Sequence, residues 1–164
     1  MSNDNRALRG ARGVIFRLLS FHRLPLPDIA RVQGPAMSPR TPGFEGRYIV
    51  VADEDRRVVN LVIETLLNDG HAVFMAYDGV SATQLAVNLK ICDLVISNTR
   101  VGGMAGLDLI QELRVRLPKL PILYLANKRR STPEAEQQLP KDVPILREPF
   151  TRRQLRAAVR YLLT

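Results

Sequence analysis

"DLVISNTRVGG", Asp93 to Gly103, is the stretch that decides how this chain folds. Leu94 to Ser97 ("LVIS") is a short apolar run of strand length with no alternation of polar residues, the pattern of a strand buried on both faces. It runs into Asn98, a polar turn and the glycine pair Gly102 and Gly103. A strand that ends in this way, followed by a helical pattern from Gly106 to Leu117, is one βα unit.

Outward from that unit the same alternation repeats. Further strands are expected at Tyr48 to Ala52, Ala72 to Ala76, Ile122 to Leu125 and Val143 to Leu146. Pro144 suits the last of these to a sheet edge, because proline cannot donate to a ladder. Between them Val58, Leu61, Val62 and Leu66 recur at helical spacing before Asp69 and Gly70. Val80 to Leu89 forms a second helix, and Leu155, Val159 and Leu162 mark the last. The fourth helix falls within Thr132 to Leu139, bracketed by Pro133 and Pro140. Five βα units predict an α/β fold with a parallel sheet covered by helices on both faces.

The chain has 164 residues, enough for one domain and a tail. Hydrophobic residues make up 46% and charged residues 24%, the balance of a soluble globular protein. No apolar run is long enough to cross a bilayer, since Val14 to Phe16 is cut by Arg17. The single cysteine, Cys92, cannot form an internal disulfide, which suits a reducing compartment and a cytoplasmic location. The net charge of +8 permits anionic partners without choosing among them.

Residues 1–46 differ from the rest. Five prolines between Pro25 and Pro42 and the absence of a strand pattern read as a basic, disordered linker ahead of a domain at 47–164. In "RALRGARGVIFRLLSFHRL", Leu8, Ala11, Ile15 and Leu18 share one side of a helix that Gly10 and Gly13 weaken by roughly 1 kcal/mol each. This start is an amphipathic or targeting segment, or an extension ahead of a true start at Met37.

In an open parallel α/β sheet, ligands bind beyond the carboxyl ends of the strands. The residues there are Asp53, Glu54 and Asp55 after the first strand, Asn98 after the third, Ala126 after the fourth and Glu148 after the fifth. The acids are suited to a hard divalent cation such as Mg²⁺, or else cap the helix that follows. His22 and His71 have no partner at a catalytic spacing.

"VVADED" at Val50, "DLVISN" at Asp93, "GGMAGLDLI" at Gly102, "PILYLA" at Pro121 and "REPF" at Arg147 occur in an order and spacing that resemble a response-regulator receiver domain of two-component signalling. The resemblance covers residues 47–164. It implies a flavodoxin-like (βα)5 fold, with a five-stranded parallel sheet of order 2-1-3-4-5. It also implies phosphoryl transfer from a histidine kinase onto an aspartate, an acidic pair holding Mg²⁺, and a hydroxyl residue and a lysine that read the phosphorylated state.

Carried onto this sequence, the acidic pair is Asp53 and Glu54, or Ala52 and Asp53 if the register moves by one. The phosphoacceptor position is Asn98, the hydroxyl position Ala126 and the lysine position Glu148. An amide cannot form the acyl phosphate that a carboxylate nucleophile forms. Its presence also removes a charged Mg²⁺ ligand, so metal at Asp53 and Glu54 is expected to be weak or absent, with no other cofactor. Ala126 cannot hydrogen-bond a phosphoryl oxygen, and Glu148 repels one. Glu148 is expected to pair with Arg147, Arg152 or Arg100.

The expectation is therefore a stand-alone pseudo-receiver, not an enzyme, that works by protein contact. Its partners would be a histidine kinase, a phosphotransferase or an output regulator, with no direct contact to nucleic acid. Lys128, Arg129, Arg130, Arg152, Arg156 and Arg160 are expected near a partner face of helix 4, strand 5 and helix 5, which would also serve a homodimer. The alternatives are an active receiver with an atypical acceptor and a flavodoxin-like module binding a nucleotide or flavin. The loops after the first and third strands lack the Gly, Ser and Thr density that cradles phosphate.

Overall fold

The structure, a computed structural model, describes Val32–Gln33, residues 44–89 and residues 91–164. Among the described residues, the elements in chain order are β1 (Val32–Gln33), β2 (Tyr48–Ala52), α1 (Arg56–Asn68), β3 (Ala72–Ala76), α2 (Gly79–Asn88), β4 (Leu94–Asn98), β5 (Arg100–Val101), β6 (Met104–Ala105), α3 (Gly106–Arg116), β7 (Ile122–Ala126), α4 (Pro133–Gln137), β8 (Ile145–Arg147) and α5 (Arg152–Leu163).

The main sheet has the order β1-β3-β2-β4-β7-β8. Its five parallel strands, counted among themselves, run 2-1-3-4-5, as the sequence pattern and resemblance predict. Every residue of β2, β3, β4 and β7 is buried, because helices cover both faces and continuous apolar runs are what such strands require. Side chains alternate between two cores. Val50, Phe74, Val95 and Ile122 pack with Leu109 and Leu113 of α3, while Ile49, Val51, Ile96 and Leu123 pack with Leu66 of α1 and Leu155 of α5.

Three strands depart in their bounds from the sequence reading. β4 and β7 each gain a residue at the carboxyl end, because Asn98 pairs with Leu125 and Ala126 with Arg147 in the ladder. β8 begins at Ile145 rather than Val143, since Pro144 offers only its carbonyl, which accepts from the Tyr124 amide at 3.0 Å. β8 lies at the sheet edge, where Pro144 suits it.

A further departure lies at the other edge. Val32–Gln33 pairs antiparallel with β3 inside the stretch read as a linker without strands. The rest of the Arg-rich start, including Leu8, Ile15 and His22, lies outside the described residues. Among the described residues no helix is long and apolar enough to cross a membrane.

The turn after Asn98 is a small β-hairpin of β5 and β6. Gly102 and Gly103 both have positive φ, 56° and 85°, which a tight two-residue hairpin turn requires at its centre. Gly106, which opens α3, is needed for a different reason. A Cβ there would lie 1.9 Å from the Asn98 carbonyl oxygen, so only glycine lets the helix start against the end of β4.

Candidate functional site

The carboxyl ends of β2, β4, β7 and β8 bring Asp53, Asn98, Ala126 and Glu148 together as the sequence positions imply. Ala52 is the last residue of β2, so Asp53 is the first to leave the sheet. It remains buried, at 1% exposure. Glu54 is turned outward and forms ion pairs with Arg130 and, at 4.0 Å, Arg100. Asp55 caps α1, its side chain accepting from the Arg57 amide at 2.9 Å. The three consecutive acids therefore have three different roles, and only Asp53 enters the site.

Asn98 is the hub. Its Nδ2 donates to Asp53 Oδ2 at 2.7 Å and to Glu148 Oε1 at 2.9 Å, so the two amide hydrogens are divided between two carboxylates. Its Oδ1 accepts from the Thr99 amide at 2.5 Å. Asp53 Oδ1 accepts from the Asp55 amide at 2.7 Å. Glu148 Oε2 accepts from Asn127 Nδ2 at 2.9 Å. The amide and both carboxylates thus satisfy each other without a cation.

Burial pushes the Asp53 carboxyl up to about 6 from the usual 3.8, opposed by the hydrogen bonds from Asn98 and Asp55 and assisted by the negative charge of Glu148. Cys92 lies elsewhere, and burial pushes its thiol up to about 12, which leaves it no nucleophilic role.

Two residues that the sequence reading passed over complete the site. Thr99 Oγ1 donates to the Leu125 carbonyl at 3.2 Å and accepts from the Asn127 amide at 3.0 Å, tying the end of β4 to the start of the β7–α4 loop. Asn127 fastens the same loop to Glu148. The only sequence signal for either was a polar side chain directly after a buried strand end. Ala126, expected at the hydroxyl position, is buried and accepts at its carbonyl from the Glu148 amide at 2.9 Å.

The cations differ from expectation. Glu148 bonds to the two asparagines and not to Arg147, Arg152 or Arg100, because Arg147 pairs with Glu136, Arg152 with Glu64 and Arg100 with Glu54. Arg152 and Arg156 lean toward α1, where Arg156 meets Asp69 at 2.8 Å. Four residues apart, they flank the Leu155 and Val159 stripe that packs on the core and so share its direction. Lys128, Arg129 and Arg130 are exposed in the loop after β7, and Arg160 is exposed on α5. Among the described residues no group of three or more His, Cys, Asp or Glu side chains is arranged to hold a metal ion.

Comparison with known proteins agrees with this architecture. The family model described as the response regulator receiver domain matches residues 49–160. The uncharacterized transcriptional regulatory protein YrkP of Bacillus subtilis is 32% identical over 111 residues, which is 68% of this chain and 47% of that protein. Response regulator MprA of Mycobacterium sp. is 33% identical over 123 residues, 70% of this chain and 50% of that protein. The chain thus spans about half the length of the curated relatives it matches. Among solved structures, a response regulator receiver protein from Sinorhizobium medicae aligns with a TM-score of 0.65 at 27% identity, covering 73% of this chain and 95% of that one.

Proposed function

Because the chain belongs to the response regulator receiver domain family, we propose that residues 47–164 act as a pseudo-receiver of a two-component pathway, signalling by protein contact without accepting a phosphoryl group. One observation carries this reading: the Asn98 amide bridges Asp53 and Glu148 where a receiver presents a carboxylate nucleophile. An amide nitrogen already donating to two carboxylates is no nucleophile, and Glu148 places negative charge where the product would lie.

The residues present do not fit a tightly held Mg²⁺. Asp53 and Glu148 each give an oxygen to Asn98, and Glu54 is committed to Arg130. A metal would have to displace these bonds, so binding is weak at most and no other cofactor is called for. Thr99, Asn127 and Glu148 together hold the β7–α4 loop in one position, which supports a constitutive contact surface and a non-enzymatic role.

The partner is a cytoplasmic signalling protein, a histidine kinase, phosphotransferase or output regulator, whose docking surface is acidic. Lys128, Arg129 and Arg160 are exposed to meet it. A second copy would bring the same cations against them. Intact-mass analysis after acetyl phosphate and Mg²⁺ tests the reading: the protein should stay unmodified, and a phosphorylated product would establish an active receiver with an atypical acceptor.

A further inference from the structure

β3 forms the edge of the parallel sheet opposite β8, and Val32–Gln33 lies along it, with Val32 opposite Phe74 and Gln33 opposite Val73. Natural edge strands are blunted by charged side chains, proline, bulges or very short length. β3 has none of these. It reads Ala72-Val73-Phe74-Met75-Ala76, and its register with β2 is unbroken from Ala72 to Ala76. The protection is supplied instead by β1, a strand of two residues against five. So short a pairing is marginal by itself and exchangeable.

The sequence of β3 is close to symmetric about its centre. Laid antiparallel on a second β3 around a two-fold axis at Phe74, Ala72 meets Ala76, Val73 meets Met75 and Phe74 meets Phe74. The direction in which β1 docks is antiparallel, the direction that a two-fold axis in an isologous dimer demands of this edge.

We propose that the β3 edge is a self-association site, covered in cis by Val32–Gln33 and, when that strand lifts away, paired with β3 of a second copy in antiparallel register centred on Phe74. The N-terminal segment thereby sets the oligomeric state. The joint lies at the opposite edge of the sheet from β8, so dimerisation leaves the β8 edge free.

The test uses the full chain with Val32→Pro and Gln33→Pro, which removes whichever amide of β1 faces β3 and leaves the sequence of the α/β body unchanged. Sedimentation velocity across a concentration series and hydrogen exchange of the β3 amides are read together. The parent should be a monomer with protected β3 amides, and the double variant a dimer with those amides still protected. A synthetic peptide of residues 28–37 added in trans should return the variant to monomer, while a scrambled peptide should not. Of the single variants Val32→Pro and Gln33→Pro, the one that loses the β3-facing amide should give an intermediate monomer–dimer distribution. Parent and variant of the same oligomeric state, or aggregates in which β3 exchanges freely, would overturn the proposal.

Discussion

Asn98 and Glu148, 50 positions apart in the chain, are joined by a 2.9 Å hydrogen bond that closes the carboxyl ends of β4 and β8 over Asp53. On the proposed carry-over, these are the two positions at which a receiver brings a nucleophile and a cation to one phosphoryl group. On that reading acid and base are replaced together by amide and acid, and the amide–carboxylate pair remains complementary as donor and acceptor. The site is internally satisfied and has little capacity left for phosphate.

Asp53 makes stability depend on pH with a definite sign. Its carboxyl titrates at about 6 in the folded protein and near 3.8 when unfolded, so between those values the native state holds a proton that the unfolded state has released. Stability from this group is greatest below the window, falls as pH rises through it and is level above about 6. The full change is about 3 kcal/mol. Urea unfolding of the parent and of Asp53→Ala at intervals from acid to neutral pH should show the parent losing stability relative to the variant on the way up. Parallel curves would show that burial does not raise this group.

Much of this was legible beforehand, for physical reasons that differ by element. β2, β3, β4 and β7 are buried on both faces, so uninterrupted apolar runs marked them, and the first residues after the runs of β2, β4 and β7, namely Asp53, Asn98 and Ala126, located the candidate site. Charge pairing was less legible. Which acid Arg152 meets depends on how α5 packs against α1, and Glu64 lies 88 positions away. Thr99 and Asn127 act through single hydrogen bonds between loops, which leave no periodic trace. β1 was hidden because a two-residue edge strand in a proline-rich stretch has too few residues to alternate.

Asn98→Asp alone should destabilise the protein at neutral pH by about 3 kcal/mol, since it removes both amide donors and leaves a third carboxylate beside two that have lost their bonds. Millimolar Mg²⁺ should recover part of that loss in the variant and leave the parent's unfolding midpoint and strand-end amide shifts unchanged. Saturable Mg²⁺ binding by the parent, with shifts centred on Asp53, would show that its acids suffice as ligands.

Gly106→Ala should cost about 3 kcal/mol, because the new methyl would lie 1.9 Å from the Asn98 carbonyl oxygen and the start of α3 must move to admit it. Thermal unfolding measures the loss. Amide shifts should change at Thr99 and Asn127 as well as in α3, reflecting the linkage through the end of β4. Shifts confined to α3 would show that the helix start and the site move independently.

On the pseudo-receiver reading proposed above, the site can be rebuilt in steps. Asn98→Asp restores the acceptor, yet Glu148 would still repel the product and Ala126 still has no hydroxyl to bond it. Adding Ala126→Thr and Glu148→Lys supplies that donor and a cation, at positions the structure places beside Asn98 and at the end of the neighbouring strand. The triple variant should therefore take up phosphate from acetyl phosphate in the presence of Mg²⁺, with little stable product in the single variant and none in the parent. The gain should be far from additive, because the three groups act on one shell of phosphoryl oxygens. Intact-mass spectrometry of the three proteins reads the outcome. A folded triple variant that stays unmodified would show that this scaffold has lost more of the receiver's chemistry than the three substituted positions account for.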